Sequence, residues 1–245
     1  MTMKKIGILL FIFLPVIAFC STTVDSTKTT ASDSTKTKKL VVGISFSPDY
    51  CFRKLKPEED AKWIAESRDS IEVAKFGYSV GAVVEYKLNS KLHIAAGVQF
   101  SDSGEKTKKF TVDDLPYGQK AVSYSYNFHH HYLNIPVKAN YFLLTGKLKF
   151  YVTLGVSTNV FLSQRTTFIT HYANRDSKEI SKTDPGFSKI NFAVLAGCGI
   201  TYPINSKTKL MIEPIYRRSI NSIIKAPVKS YLYSGGVNVG ILLDL

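Results

Sequence analysis

Cysteine, tryptophan and long hydrophobic runs are scarce in this chain of 245 residues. It has three cysteines, at positions 20, 51 and 198, and one tryptophan. So few cysteines exclude the dense disulfide framework of small secreted domains. One apolar run alone approaches the ~20 residues that a membrane-spanning helix needs, and it lies at the extreme N-terminus. The composition therefore excludes a polytopic helical membrane protein.

Several function classes are also disfavoured by what the sequence lacks. No glycine-rich phosphate loop precedes a helical pattern, and no Gly-x-Ser-x-Gly nucleophile elbow occurs. We therefore expect no cofactor and a protein that is not an enzyme. The net charge of +13 comes from lysines dispersed over turns and loops rather than from a compact basic helix. Dispersed charge of this kind fits an anionic lipid or lipopolysaccharide surface equally well, so we expect outer-membrane lipid and lipopolysaccharide as partners and no nucleic acid.

The N-terminus has the pattern of an export signal. Two lysines precede an apolar stretch from Ile6 to Phe19, which predicts a signal peptide over residues 1–20. The sequence Ala18-Phe-Cys20 fits cleavage after Cys20 and a mature chain that begins at Ser21. The alternative is lipidation of Cys20, although Phe19 stands where a lipobox usually has a small residue.

A polar tract follows the signal. Residues 21–39 are rich in Ser, Thr and Lys, and the string Asp25-Ser-Thr-Lys-Thr29 recurs at residues 33–37. Because such a composition cannot bury a core, we interpret residues 21–39 as a flexible tether. The remaining residues, 40–245, would form the folded domain.

From Leu40 onward the chain alternates between apolar and small or polar residues with a period of two, which is typical of β-strands. The segment 76–88 is the clearest example. The alternating segments are roughly 9 to 17 residues long, whereas an ordinary strand has ~5–6 residues and a membrane-spanning strand needs ~9–11. A soluble lipocalin-like barrel, the main rival, would turn the apolar rows inward.

The connections between these segments alternate in length. Tight turns are predicted at Asn89-Ser90, Thr145-Gly146 and Asn205-Ser206, and long polar loops at about 51–73, 104–128, 164–187 and 221–229. Short turns on one side and long loops on the other are typical of outer-membrane barrels. We predict an all-β, eight-stranded antiparallel up-and-down transmembrane β-barrel, with the tether and the C-terminus in the periplasm.

Tyrosines recur beside the predicted turns. Tyr86, Tyr141 and Tyr202 each lie just before a turn on the predicted lipid-facing row. A tyrosine at a lipid–water boundary keeps its ring in apolar surroundings and its hydroxyl in water. We interpret the three as an interfacial girdle.

The order and spacing of several strings resemble a known family. They are Gly43-Ile-Ser-Phe-Ser-Pro-Asp-Tyr50, Phe76-Gly-Tyr-Ser-Val-Gly81, Gly97-Val-Gln-Phe-Ser-Asp-Ser-Gly104, Tyr132-Leu-Asn-Ile-Pro-Val137 and Ile212-Glu-Pro-Ile-Tyr-Arg217. Over about residues 38–245 the chain resembles the outer-membrane β-barrel family typified by PorT, which is abundant in Bacteroidetes. The resemblance implies an outer-membrane barrel, with some members linked to protein secretion or gliding.

Four charged residues are predicted to face the narrow lumen: Glu85, Lys138, Glu213 and Arg217. An unpaired charge in an eight-stranded lumen is costly, so we expect a network of salt bridges among them. A structural role is favoured over a proton path or a catalytic pair.

The histidines at 129–131 are the candidate metal ligands. His129 and His131 would share one face of an extended strand, and His171 would have to come from another loop. The favoured interpretation is a solvated loop end, so no metal site is predicted. Residues 57–70 of the first long loop could form a short amphipathic helix that either docks a partner or covers the barrel rim.

Three functions remain open at this point. The favoured one is an outer-membrane protein with a structural or partner-interaction role, in which a protein partner would contact the extracellular loops. The second is a narrow porin-like channel. The third is a barrel enzyme that acts on lipid or protein, which an Asp/His/Ser cluster at one barrel mouth would favour.

Overall fold

A computed structural model describes residues 39–111, 121–172, 174–182 and 186–245. The predicted signal peptide, the cleavage site at Cys20 and Ser21, and residues 21–38 of the predicted tether lie outside the described residues. All described residues belong to one compact unit, Lys38–Leu245. Among them, no helix combines the length and the apolar character that a bilayer crossing requires.

The described elements are ten β-strands, one 3-10 turn and one α-helix. In chain order they are β1 (Leu40–Pro57), the 3-10 turn Glu59–Ala61, α1 (Lys62–Ile71), β2 (Glu72–Lys87), β3 (Leu92–Ser103), β4 (Glu105–Thr107), β5 (Ala121–Thr145), β6 (Lys149–Tyr172), β7 (Asp176–Lys182), β8 (Ile190–Pro203), β9 (Thr208–Ser219) and β10 (Val228–Asp244).

Eight of the strands form a closed antiparallel ring. Each of β1, β2, β3, β5, β6, β8, β9 and β10 pairs with the next, and β10 pairs back with β1. Closure leaves no unpaired edge in the ring, which is the condition for a sheet that spans lipid. The predicted eight-stranded up-and-down barrel is confirmed. The short strand β4 and the outer strand β7 are additional to the ring.

The outer face of the ring is apolar and exposed. Its large side chains include Ile44, Phe46, Val80, Val84, Val98, Val137, Leu154, Val156, Phe192, Val194, Val239 and Ile241. A water-soluble barrel would not expose such a continuous apolar belt. The inner face instead carries buried Ser, Asn, Thr and charged residues. This polarity matches the predicted membrane barrel and excludes the lipocalin-like arrangement.

Short turns gather at one end of the barrel, which we call the turn end. Residues 88–91, 146–148 and 204–207 connect β2 to β3, β5 to β6 and β8 to β9. In two of these turns an asparagine side chain fixes the geometry: the Oδ1 atoms of Asn89 and Asn205 each accept two backbone N–H groups. The three predicted turns are thus confirmed.

The opposite end, which we call the loop end, differs from the prediction. The strands β1, β5 and β6 run well into the segments that were predicted to be loops, and β5 and β6 reach 25 and 24 residues. The loop prediction failed because the apolar row there is short: Tyr124, Tyr126 and Phe128 alternate with polar residues on β5, but the surrounding segments are rich in polar and charged residues. Cys51, predicted at the start of a loop, is buried inside β1. Helix α1 overlaps the predicted helical segment 57–70 and ends one residue beyond it, at Ile71.

Candidate functional site

A group of four residues lies across the middle of the lumen, which we call the lumenal cluster: Lys138, Tyr151, Glu213 and Asn238. The Lys138 Nζ donates to Glu213 Oε1 at 2.5 Å, and Asn238 Nδ2 donates to the same oxygen at 2.7 Å. The Tyr151 hydroxyl donates to Glu213 Oε2 at 2.9 Å. Glu213 has no exposed surface. Its carboxylate is therefore held by three donors from β5, β6 and β10.

Space for the Tyr151 ring depends on a glycine of the neighbouring strand. Gly199 on β8 is paired with Tyr151, and a Cβ atom at position 199 would lie 2.5 Å from the tyrosine hydroxyl. Any side chain there would displace the ring. The glycine thus allows Tyr151 to reach Glu213.

Arg217 extends this arrangement toward the loop end. Its Nη1 donates to Asp49 Oδ1 at 2.6 Å, and its Nη2 donates to Asn238 Oδ1 at 3.0 Å. Asp49 also accepts hydrogen bonds from Ser47 and Ser79. Arg217 is consequently linked to the lumenal cluster through Asn238.

Glu85, the fourth predicted lumenal charge, belongs to a separate group nearer the turn end. Its carboxylate contacts His93 Nδ1 at 2.7 Å and accepts from Asn140 Nδ2 at 2.9 Å. The structure thus brings Lys138 and Glu213 into direct contact, joins Arg217 to them through one amide, and keeps Glu85 apart.

Two cavities lie in the lumen that the described strands enclose. The larger, toward the loop end, has an empty volume of about 710 Å³ that includes space open to solvent. The smaller, toward the turn end, has about 440 Å³. Both are lined by Gln99, Pro136, Lys138 and Asn238. These four residues therefore border both spaces.

An apolar group lies in the lumen nearer the turn end. Val41, Met211 and Leu242 are buried against one another, and Val83 packs on them. Beside them Lys87 and Lys209 both contact the carboxylate of Asp244. An ion that passed the lumenal cluster would meet this apolar contact next.

The three predicted girdle tyrosines lie on the outer face near the turn end. Tyr86, Tyr141 and Tyr202 each keep nearly half of their surface exposed. A second set of outward aromatic residues lies farther along the strands, where Tyr50 and Phe76 are cross-strand neighbours. Ten residues separate Tyr86 from Phe76 on β2, which fits the ~9–11 residues of a membrane-spanning strand.

Beyond that second set, the lumen holds a buried ionic group, which we call the loop-end cluster: Arg53, Glu72, Glu105 and His130. Arg53 binds Glu72 through Nε at 3.0 Å and Nη2 at 2.5 Å, and its Nη1 lies 3.2 Å from Glu105. His130 Nε2 lies 3.3 Å from the other oxygen of Glu105. One guanidinium therefore compensates two buried carboxylates.

The environment of Glu105 favours its charged form. Burial acts to raise the pKa of this carboxyl, but His130, Arg53 and Lys75 outweigh burial, so the pKa lies below its usual value. Since the folded-state pKa is lower than the unfolded one, the carboxylate stabilises the fold at neutral pH. This contribution is lost as the pH falls from about 4.5 through the folded-state pKa.

Acid should therefore weaken the barrel less when Glu105 cannot titrate. The variant Glu105→Gln is expected to be less stable than the native protein at pH 7, and to lose less stability between pH 7 and pH ~3.5. The urea midpoint of heat-dependent gel mobility at each pH measures this. The exposed Glu66→Gln on α1 is the control. Equal acid losses in Glu105→Gln and the native protein would contradict the assignment.

The predicted metal candidates lie at the loop end. His129 and His131 fall with Asp102 into a group whose ligand atoms are within 4.8 Å of one another. The Nζ atom of Lys75, however, lies 3.0 Å from Asp102 and 2.8 Å from His129. The Lys75 ammonium group already occupies the position that a metal cation would take between Asp102 and His129, so the geometry does not favour a metal here.

His171, the other histidine considered, is not part of that group. Its Nε2 lies 3.0 Å from Ser125 Oγ, and its Nδ1 lies 2.8 Å from Asp176 Oδ1. This arrangement joins β5, β6 and β7 at the loop end.

Sequence reasoning missed the loop-end cluster and the partners of Arg217. Arg53 and Glu72 fall in a segment predicted to be a loop, and so does Glu105. The available signal was the alternation of β1, which continues past Pro48 with Asp49, Cys51 and Arg53 on the buried row.

Taken together, the closed ring, the apolar outer belt and the polar filled lumen define a membrane β-barrel. Residues 59–225 match the family described as outer membrane protein beta-barrel domain, which is more than half of the chain. The chain belongs to this family and is therefore a protein of the bacterial outer membrane.

Solved structures with a similar fold are remote in sequence. Neisserial surface protein A from Neisseria is 16% identical, with a TM-score of 0.40 over 84% of this chain and 97% of that one. OprG from Pseudomonas aeruginosa is 13% identical, with a TM-score of 0.45 over 84% and 95%. The outer membrane protease OmpT from Escherichia coli is 8% identical, with a TM-score of 0.42 over 86% and 98%. The search of curated proteins found no match.

Proposed function

We propose that this protein is a sealed outer-membrane barrel of the PorT type, with a structural and partner-binding role in a secretion or surface assembly. The loop end faces the exterior and binds a protein partner, while the turn end, the tether and the C-terminus face the periplasm. Lipid and lipopolysaccharide surround the outer belt. This role requires no catalytic step.

One observation carries the proposal: the sheet continues far beyond the membrane and carries an aromatic cluster there. Strands β5 and β6 exceed the ~9–11 residues of a membrane crossing by more than ten residues. Four aromatic residues of this extension and Phe110, which is bridged to Tyr124, form ring contacts with centroids 4.9–6.2 Å apart. They are Phe110, Tyr124, Tyr126, Phe128 and Phe168.

The aromatic cluster has the composition of a binding surface. All five side chains remain partly exposed. Tyrosine and phenylalanine are enriched at the centres of protein–protein interfaces, because they bury a large area with few rotatable bonds. A barrel that needed only to span lipid would gain nothing from a half-exposed aromatic surface of this kind.

Site-specific photocrosslinking in cells of the native host tests the role. We expect p-benzoylphenylalanine in place of Tyr126 to give one discrete protein adduct. The same group in place of Leu154, which is 67% exposed on the lipid-facing belt, should give none. A third position, Trp63 on α1, shows whether the contact extends over the barrel rim. The absence of an adduct at Tyr126, or an equal adduct at Leu154, would contradict the proposal.

A further inference from the structure

Ser125, His171 and Asp176 form a linked set on the extension of the sheet beyond the membrane. Ser125 Oγ lies 3.0 Å from His171 Nε2, and His171 Nδ1 lies 2.8 Å from Asp176 Oδ1. In the tautomer with the proton on Nδ1, the imidazole donates to the aspartate and accepts from the serine. We infer that these three residues form a hydrolytic Ser–His–Asp site, additional to the partner-binding role.

The geometry has the two contacts that such chemistry needs. A nucleophilic hydroxyl must lie within hydrogen-bond reach of a base, and the base must be oriented by a third group on its other nitrogen. Here the serine and the aspartate contact different ring nitrogens of the same histidine. The arrangement of His129, His131, Asp102 and Lys75 does not meet this requirement, because both Asp102 and Lys75 contact Nδ1 of His129.

Strand register fixes the three side chains together. His171 on β6 is paired with Ser123 on β5 and with Asp176 on β7. Ser125 lies two residues from Ser123, on the same face of β5 and diagonal to His171. The site therefore rests on three adjacent strands rather than on separate loops, which favours a constant geometry.

The histidine is shielded while the site stays open. The His171 side chain is 13% exposed, whereas that of Asp176 is 49% exposed. A partly buried imidazole is held against its two partners. Ser125 is half-buried, so its hydroxyl can meet an ester from outside the barrel.

The charges around the site indicate the substrate class. Ser125 on β5 and Lys178 on β7 are both paired with Ile169 of β6, which lies between them. Farther along the same strands, Lys182 is paired with Arg165. These cations share the face with Asp176, since side chains two residues apart point the same way. A carboxylic ester with an anionic group would be attracted to this face, and the Lys178 ammonium would stabilise the oxyanion that forms at its carbonyl.

The reaction balances without a cofactor. Ser125 Oγ forms a bond to the ester carbonyl carbon while His171 Nε2 takes the hydroxyl proton. The carbon–oxygen bond to the alcohol then breaks, and His171 returns the proton to the leaving oxygen. Water next attacks the acyl carbon and gives a proton to His171, the bond from that carbon to Ser125 Oγ breaks, and His171 returns the proton to Oγ. The products are a carboxylic acid, an alcohol and free Ser125. Asp176 acts as a positioning residue.

Covalent labelling with a fluorophosphonate probe tests the nucleophile directly. Refolded full-length protein should form a phosphonyl–serine bond with loss of fluoride. Ser125→Ala and His171→Gln should lose the label, while the matched control Ser123→Ala should keep it. Heat-dependent gel mobility verifies folding of every variant. Absence of label on the native protein, or label retained by Ser125→Ala, would overturn the inference.

Hydrolysis of two related esters tests the substrate class and the role of Asp176. We expect 5-carboxyfluorescein diacetate, which is anionic, to react faster than neutral fluorescein diacetate, and Lys178→Met to remove the difference. Ser125→Ala should lower kcat/KM by about 100-fold or more, and Asp176→Asn should lower kcat by about tenfold with KM unchanged. Equal turnover by Ser125→Ala and the native protein would exclude the activity, while an adduct at Tyr126 would leave the partner-binding role intact.

Discussion

Replacing Glu213 by alanine is expected to lower the free energy of unfolding by about 3–5 kcal/mol, because it leaves the Lys138 ammonium buried without its carboxylate. Tyr151 and Asn238 would lose their acceptor at the same time. The outer apolar belt is unaffected, so the variant should still insert into the membrane. The measurement is the urea or guanidinium midpoint of heat-dependent gel mobility in lipid vesicles.

A double variant shows how much of the lost stability is due to leaving the charge of Lys138 buried without a partner. Lys138→Met combined with Glu213→Met removes both charges, and we expect it to recover part of the stability lost in Glu213→Ala. The exposed Glu66→Ala on α1 should change the midpoint very little. If Glu213→Ala and Glu66→Ala have the same midpoint, the lumenal cluster does not stabilise the barrel.

The barrel itself could be predicted because lipid imposes a simple pattern. Every membrane-facing row must be apolar and every lumenal row small or polar, and a one-residue error in register would invert both. This alternation alone predicted that the side chains of Glu85, Lys138 and Glu213 face the lumen. The tight turns followed from asparagine and glycine, which are common turn residues. In the structure Asn89 and Asn205 act by accepting backbone N–H groups with their side chains.

The sheet beyond the membrane could not be predicted in the same way. On β6 beyond the lipid, polar residues stand on both faces, and on β5 the apolar row consists only of Tyr124, Tyr126 and Phe128, which is too short to mark a membrane-type face by itself. Arg53, Glu72 and Glu105 therefore resembled solvated loop residues. Their burial results from pairing across three strands that are far apart in sequence.

The partners of the predicted residues also required the structure. The sequence indicates that Lys138 and Arg217 face inward, but not that Asn238 lies between Arg217 and Glu213. The sequence suggested His171 only as a metal ligand together with His129 and His131, because it does not show which residues lie beside His171. The pairing of β6 with β7 places Asp176 beside it, and no hydrophobic pattern in β7 indicates that pairing from the sequence.

Purified native barrel is expected to conduct no ions. An ion that enters from the loop end would pass the loop-end cluster and then meet the lumenal cluster, in which Lys138 and Glu213 compensate each other and leave no net charge to hold it. It would then meet the apolar contact of Val41, Met211 and Leu242. Narrow apolar constrictions exclude hydrated ions, so neither barrier permits a steady current. The porin-like alternative predicts a measurable ion current through the lumen.

Recording single-channel current across planar bilayers tests this central claim most directly. Insertion is established first, from the heat-dependent gel mobility of the protein in the same vesicles before fusion. The absence of current then indicates a closed lumen rather than a failure to insert. The sealed barrel predicts a flat current trace from inserted native protein at either polarity. Stable unitary steps from the native protein would contradict the sealed lumen and the role proposed for it.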